Sequence, residues 1–175
     1  MSESPHGVTV RPVRPEERTA AAALVERAYA EYATRMAPEA WAGLDEAVRA
    51  ALAHAGAAEW LVAEQGGVIV GSVFLYPPAI DAYGGLTGRA PWPELRLLAV
   101  APEVRGAGVG RALMDACVAG ARAMGADALG LHTSESMTAA RALYASMGFV
   151  REPAYDFRPN GAELVEAYRL DIGAS

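Results

Sequence analysis

The order of apolar and polar positions predicts strands and helices that alternate along the whole chain. Strands are indicated where apolar and polar residues alternate, or where short apolar runs end at glycine or proline. Helices are indicated where apolar residues recur every three or four positions, and the first begins near Pro15, with Glu16 and Glu17 in its first turn. The predicted strands span 8–13, 60–63, 68–76, 94–100, 127–133 and 164–172, and the later helices span 44–55, 108–124 and 137–147.

The stretch from Pro77 to Pro93 carries three glycines and four prolines, which predicts a loop. A loop of this length inside a compact domain is typical of a functional or mobile segment. The chain shows no internal repeat and no low-complexity linker. We therefore expect one α/β domain over residues 1–175, with a core from about 8 to 172.

Composition narrows the classes of protein and partner. The chain has 175 residues with a net charge of −6, which argues against nucleic acid as a main partner and permits a cationic substrate. No apolar run approaches the roughly 20 residues of a membrane helix, and the N-terminus lacks the pattern of a secretory signal. Cys117 is the single cysteine, and the three histidines lack ligand spacing, so we expect no metal and a cytoplasmic location.

A glycine-rich stretch, RGAGVGRAL at 105–113, lies between a predicted strand and a predicted helix, where backbone can approach a phosphate closely. A Walker loop requires a Gly-Lys pair, and the chain has none. The dinucleotide fingerprint requires a third glycine where Arg111 stands. Two interpretations remain from the residues alone: a phosphate cradle of another kind, or a tight turn that closes a strand against a helix.

The motif R-x-x-G-x-G, at Arg105 to Gly110, resembles the pyrophosphate-binding motif of the GCN5-related N-acetyltransferase (GNAT) superfamily. The preceding ELRLLAVAPEVR and the later ARALYASMGF also match segments of that family, in order and separated by a strand. The resemblance implies the GNAT fold, an α/β fold with a mixed, mostly antiparallel sheet flanked by helices on both faces. It implies direct transfer of an acetyl group from acetyl-CoA to a primary amine.

The same resemblance assigns cofactor contacts, most of them from the main chain. The side chain of Arg111 either contacts phosphate or lies in solvent, and that of Arg105 braces the loop or contacts phosphate. The expected cofactor-binding residues are Leu98, Ala99, Val100, Arg105, Gly106, Ala107, Gly108, Val109, Gly110 and Arg111.

Acetyl transfer needs a neutral amine, a donor for the developing oxyanion and a proton for the departing thiolate. Tyr144 matches the family tyrosine that lies near the coenzyme sulfur, and its alternative role is core packing. Glu94 begins the cofactor strand and is the candidate base, with an exposed strand-end carboxylate as its alternative. Glu103 and His132 are weaker candidates, and Cys117 is expected in the core.

Two further features bear on the site. Many relatives carry an asparagine seven residues before the tyrosine, where this chain has Met137; Ser134 or Ser136 can replace that contact, or the contact is absent. Residues in or beside the 77–93 loop are candidates to line an amine pocket, namely Tyr76, Asp81, Tyr83 and Trp92.

The sequence leaves the acceptor open between a small molecule and a protein amine. The alternative functions are a non-catalytic acyl-CoA-binding sensor or regulatory module, and a transferase that uses another acyl-CoA. Homodimers are frequent in the family, and no isolated dimerisation element is evident in the sequence.

Overall fold

The computed structural model describes residues 7–159 and 163–173. Its centre is a seven-stranded sheet in the order β1-β2-β3-β4-β5-β7-β6, in which the β4–β5 pair is parallel and every other pair is antiparallel. The strands are β1 (Val8–Pro12), β2 (Glu59–Gln65), β3 (Val68–Tyr76), β4 (Glu94–Val100), β5 (Ala128–Ser134), β6 (Val150–Arg151) and β7 (Val165–Asp171). The helices are α1 (Arg18–Tyr29), α2 (Pro38–Ala53), α3 (Val109–Ala123) and α4 (Thr138–Ser146).

Helices cover both faces of the sheet, so successive strand residues feed two separate apolar cores. On one face, residues of α3 and α4 pack with alternate residues of the strands around Leu75, Leu113 and Leu131. On the other face, α1 and α2 pack around Val25, Val48 and Phe74. Because side chains alternate across a strand, a near-continuous apolar strand such as β3 supplies both cores. The predicted α/β GNAT-like architecture is confirmed.

Element boundaries show where the sequence patterns were insufficient. The second helix begins at Pro38 instead of residue 44, and Pro38 occupies the first helical turn, where proline is favoured. The two-residue strand β6 was missed because it is too short to show alternation. Residues 77–93 form the expected irregular connection, and no described helix is long and apolar enough to cross a membrane. His6 lies outside the described residues.

The packing of α3 on the sheet depends on two close approaches. A Cβ atom at Gly71 on β3 would lie 2.8 Å from Val109 Cγ1 and 2.9 Å from Leu113 Cδ1. A Cβ atom at Gly110 would lie 3.2 Å from Leu143 Cδ2 on α4. The absence of side chains at these glycines therefore lets the first turn of α3 lie close to both β3 and α4.

We expect Gly71→Ala to lower the free energy of unfolding by about 1–3 kcal/mol, because the added methyl group overpacks the contact between β3 and α3. Urea unfolding followed by tryptophan fluorescence measures the change. Gly43→Ala is the matched control: its Cβ would meet nothing within 4 Å on α2, and alanine favours the helix by about 0.5–1 kcal/mol. Equal or greater stability of Gly71→Ala would contradict the predicted close packing.

Candidate functional site

The main opening in the sheet lies between β4 and β5. These parallel strands pair at Glu94↔Gly130 and Leu95↔Leu131, and within the described chain their ladder goes no further. From residue 96 to residue 100, the edge of β4 that faces β5 therefore has no strand partner. Unpaired backbone inside a sheet needs another source of hydrogen bonds, so this edge suits an extended ligand.

A bulge reshapes β4 beside this opening. The pairing with β3 shifts between Ser72 and Phe74, and Leu97 has a φ of 53°, which is uncommon for a residue with a branched side chain. Leu97 and Ala99 then pack in the α1-side core, while Leu98 and Val100 pack against the α3-side core. The predicted cofactor strand is thus distorted at its centre, a feature that concentrates at functional sites.

The glycine-rich turn presents a set of backbone donors next to that edge. Gly106 and Gly108 both have a φ of 81°, which glycine tolerates without steric strain. Gly108 caps α3, and a side chain at Gly106 would meet nothing within 4 Å. In the described chain, no acceptor is found for the N–H groups of Gly106, Gly108, Val109, Gly110 and Arg111.

These unpartnered donors fit a pyrophosphate. They cluster at the N-terminus of a 15-residue helix, whose dipole favours negative charge. Ala107 differs, because its N–H donates to the Val104 carbonyl oxygen at 3.2 Å. The main chain around residues 106–111 therefore has the donors that binding a diphosphate requires.

The two arginine side chains of this loop are held by other partners. Arg105 Nη1 lies 2.5 Å from Glu31 Oε2, in the turn after α1. Arg111 Nε lies 3.2 Å from Asp115 Oδ1 on the exposed side of α3. This arrangement supports the bracing role for Arg105 and the solvent position for the Arg111 side chain, and leaves phosphate contacts to backbone groups.

Tyr144 lies on α4 behind the opening. Its side chain is buried and packs in the α3-side core, with its ring centroid 5.8 Å from that of Phe149. Burial raises the pKa of Tyr144 well above 10, and the neighbouring Tyr29 and Tyr32 raise it further. The phenol is therefore protonated at neutral pH. Both expected roles, packing and proton donation, are compatible with this position.

Glu94 is buried, which excludes the exposed strand-end carboxylate. Burial raises its pKa from an ordinary value near 4.5 to about 7, and the opposing influence is the positive charge of Arg96. A carboxyl group with a pKa near neutrality can both accept and release a proton at working pH. Glu94 thus has the protonation behaviour of a general base.

His132 lies beside Glu94 and is neutral. Burial lowers its pKa to about 4, and its Nε2 lies 2.8 Å from the Tyr155 carbonyl oxygen. A carbonyl oxygen only accepts, so Nε2 carries the proton and Nδ1 is an acceptor. Nδ1 lies 3.7 Å from Glu94 Oε1 and is buried without a hydrogen bond in the described chain. The contact is therefore not an ion pair, and it favours a protonated Glu94 when no substrate is bound.

The four candidate residues in or beside the 77–93 loop lie in different parts of the structure. Tyr83 packs on His132 at 4.4 Å between ring centroids, while Trp92 packs against Tyr155 and Gly130. Asp81 accepts hydrogen bonds from the backbone of its own loop, and Tyr76 is buried in the α1-side core. Of the four loop residues, Tyr83 and Trp92 are therefore the two near Glu94: Tyr83 packs on His132, and Trp92 and Glu94 Oε1 both lie close to Gly130.

Arg96 is a site residue that sequence reasoning missed. Its guanidinium carbon lies 4.4 Å from the centre of the Tyr83 ring, and its charge acts on Glu94, His132 and Tyr29. The sequence did contain a signal for Arg96. It lies two positions after Glu94 on a predicted strand, and such residues project from the same face of the strand.

The segment before α4 distinguishes the two serines. The Ser136 hydroxyl donates to the Glu163 carboxylate, at 3.0 Å from Oε2. Ser134 Oγ and Thr133 Oγ1 are buried and have no hydrogen-bond partner in the described ranges. Met137 packs against the α1-side core. Of the two serines, Ser134 is therefore the one whose hydroxyl has no partner in the described ranges, and its replacement of the missing asparagine contact stays a prediction.

The weaker candidates lie elsewhere. Glu103 is exposed and contacts Arg27 at 3.1 Å. Cys117 is fully buried on α3, and burial raises the pKa of its thiol to about 12, which suits a core residue. Among residues 7–159 and 163–173, no group of three His, Cys, Asp or Glu side chains is placed to hold a metal ion.

Comparison with known proteins adds independent evidence. The sequence profile of the Acetyltransferase (GNAT) family matches residues 22–149. A mycothiol acetyltransferase from Thermobispora bispora is 36% identical over 152 residues, covering 85% of this chain and 48% of the relative. The chain thus spans about half the length of that relative.

Solved structures agree on the fold. A GNAT-family structure from Desulfovibrio desulfuricans has a TM-score of 0.65 at 26% identity, covering 95% of this chain and 99% of the other. A GNAT-family acetyltransferase from Brucella melitensis, solved with acetyl-CoA, has a TM-score of 0.62 at 22% identity, covering 96% and 90% of the two chains.

We expect one glutamate carboxyl resonance to titrate near pH 7 in the wild-type protein and to be absent from Glu94→Gln. Burial disfavours the charged carboxylate, so its proton is retained to higher pH. Carbon-13 NMR of side-chain-labelled glutamate measures this titration. Glu103→Gln is the control. Hydrogen bonding holds the pKa of Glu103 below its usual range, so this substitution should remove a resonance that titrates at low pH and keep the resonance that titrates near pH 7.

The raised pKa of Glu94 also determines how the stability of the protein changes with pH. Between about pH 4.5 and pH 7 the unfolded chain releases the Glu94 proton first, so the wild-type protein loses stability relative to Glu94→Gln as pH rises. A difference that does not change with pH would contradict the raised pKa.

Proposed function

Because the chain belongs to the acetyltransferase (GNAT) family, we propose that it is an N-acetyltransferase that moves an acetyl group directly from acetyl-CoA to a primary amine. The carrying observation is the run of unpartnered N–H groups at residues 106–111 beside the unpaired edge of β4. Acetyl-CoA has a pyrophosphate for the donors and an extended arm for the edge. Leu98, Ala99 and Val100 would supply the backbone contacts to that arm.

Bound acetyl-CoA supplies a thioester, whose carbonyl carbon is open to attack by an amine. Glu94 prepares the acceptor: a primary ammonium has a pKa near 10, and the Glu94 carboxylate removes its proton directly or through a water molecule. Glu94 and the backbone contacts to the cofactor belong to one strand, so β4 fixes the distance between the base and the cofactor.

The bulge in β4 and Tyr144 provide the donor for the developing oxyanion and the proton for the departing thiolate. A backbone N–H beside the bulge at Leu97 donates a hydrogen bond to the carbonyl oxygen as negative charge develops there. Tyr144 keeps its proton at neutral pH and donates it to the departing sulfur, whose thiol form has an intrinsic pKa around 8.5. A non-catalytic acyl-CoA-binding module would need neither a tuned base nor a proton donor.

Other expectations from the sequence stay predictions. They concern a single domain over residues 1–175, a cytoplasmic location, homodimer formation and the absence of a nucleic acid or membrane partner. The acyl group itself is proposed as acetyl, and transfer from another acyl-CoA is the alternative.

We expect Gly108→Glu to abolish acetyl-CoA binding, because its side chain and negative charge enter the region of the unpartnered donors. Calorimetric titration measures the affinity, with NADH and ATP as comparison ligands that the wild-type protein should not bind. Gly125→Glu is the matched control, since Gly125 has a similar φ of 76° at the opposite end of α3. Unchanged acetyl-CoA affinity in a folded Gly108→Glu protein would contradict the phosphate cradle.

We expect Tyr144→Phe to lower kcat by about 10- to 1000-fold with little change in acetyl-CoA affinity, because the substitution removes a proton donor and keeps the ring. Thiol release measured against a screen of primary amines gives kcat, and calorimetry gives the affinity. Tyr168→Phe, on β7, is the control for loss of a hydroxyl group. An unaltered kcat would leave Tyr144 with a packing role alone.

A further inference from the structure

Arg96 occupies an unusual electrostatic position beside the candidate base. It lies half-buried on β4, two positions after Glu94, and its guanidinium stacks over the ring of Tyr83 at 4.4 Å. One nitrogen donates a hydrogen bond to the Ala82 carbonyl oxygen. The loop before β4 therefore holds this side chain in place through an aromatic ring and a neutral acceptor.

The charge of Arg96 lacks an ion-pair partner. In the described parts of the chain, no carboxylate oxygen lies within 4.0 Å of its nitrogens. The charge of Arg96 acts on Glu94, yet the pKa of Glu94 is raised, and the Glu94 carboxyl contacts the neutral His132 ring at 3.7 Å. A partly buried cation without a counter-ion is costly, and a guanidinium has five donors to satisfy.

The free donors of Arg96 reach accessible space. One nitrogen donates to the Ala82 carbonyl oxygen, and within residues 7–159 and 163–173 no Arg96 nitrogen is both fully buried and without a hydrogen bond. The positive charge of Arg96 acts on the pKa values of Tyr29, Tyr83 and Glu94. The guanidinium lies beside the ring of Tyr83, and Arg96 is on the same face of β4 as Glu94.

We propose that Arg96 binds a carboxylate group of the acceptor, so that the substrate is a small amine bearing a carboxylate, such as an amino acid. The proposal rests on the N-acetyltransferase function above. Residues two positions apart on a strand are about 6.6 Å apart, which suits an amine and a carboxylate separated by a few bonds. One planar guanidinium matches one carboxylate in a bidentate geometry.

The same charge disfavours other acceptors. A diamine or polyamine would place a second positive charge against Arg96 when its first amine reaches Glu94, and like charges in a partly desolvated site repel. A protein amine has no required carboxylate near its nitrogen, so it would leave the guanidinium without a counter-ion. A small zwitterionic acceptor satisfies both Glu94 and Arg96.

Matched pairs of acceptors test this assignment. Full-length protein is assayed for thiol release from acetyl-CoA with the common L-amino acids, each beside its α-carboxamide, and with diamines. We expect accepted amino acids to exceed their amides in kcat/KM by about 10- to 100-fold, the range for a charge-assisted hydrogen bond. Arg96→Gln should remove this preference by lowering activity on the acids more than on the amides, since loss of its charge also raises the pKa of Glu94 for every acceptor. Arg96→Lys should restore part of the preference.

Binding gives a second readout. Phenylglyoxal modification of Arg96, followed by mass spectrometry, should slow in the presence of an accepted amino acid and not of its amide. Arg49→Gln is the control variant, because Arg49 pairs with Asp45 on the surface of α2 and should leave the preference unchanged. Melting temperatures confirm that each variant is folded.

The outcomes separate this inference from the function on which it rests. Equal activity on acids and amides, equal losses on both in Arg96→Gln, or acetyl-CoA binding without turnover of any amino acid would overturn the carboxylate assignment. Turnover of neutral amines or diamines would leave the N-acetyltransferase function standing. Absence of acetyl-CoA binding would overturn the proposed function and this inference together.

Discussion

The site depends on one constraint, the end of pairing between β4 and β5 after two residue pairs. An interrupted ladder leaves backbone donors and acceptors inside the sheet, which is tolerable because water or a ligand can satisfy them. Packing on one face of the sheet fixes the elements beside the opening: α3 packs on β3 through Gly71, and α4 packs on α3 through Gly110. The opening itself lies between two strands of the sheet and not in the 77–93 loop.

Electrostatics on the α1 side follow from the same arrangement. Glu94 and Arg96 lie on one face of β4 in a partly dry environment, where burial moves a carboxyl pKa to about 7 and a nearby cation limits that rise. If Glu94 were the direct ion-pair partner of Arg96, its pKa would be low and it would be a poor base. The gap between the two side chains thus keeps Glu94 basic and leaves Arg96 available.

Local sequence patterns predicted the elements that carry the site, because β4, α3 and the glycines at 106 and 108 have strong local signals. They placed the start of α2 six residues late, at residue 44 instead of Pro38. They missed Arg96 because its partners come from the 77–93 loop, whose path depends on distant contacts such as Thr87 with Tyr155. Sequence spacing shows that Arg96 shares a strand face with Glu94, whereas the lack of an ion-pair partner for Arg96 can be seen only in the structure.

Recognition of the two substrates draws on different parts of the chain. Backbone groups of β4 and the turn at 106–111 suit the cofactor, and backbone is insensitive to side-chain substitution, apart from glycines with positive φ. The proposed acceptor side instead uses side chains, chiefly Arg96 and Tyr83, which contact each other where the 77–93 loop meets β4. Changes in that loop can therefore alter the acceptor without affecting acetyl-CoA, which is why the acceptor must be inferred from the charge and contacts of Arg96 and not from the glycine motif.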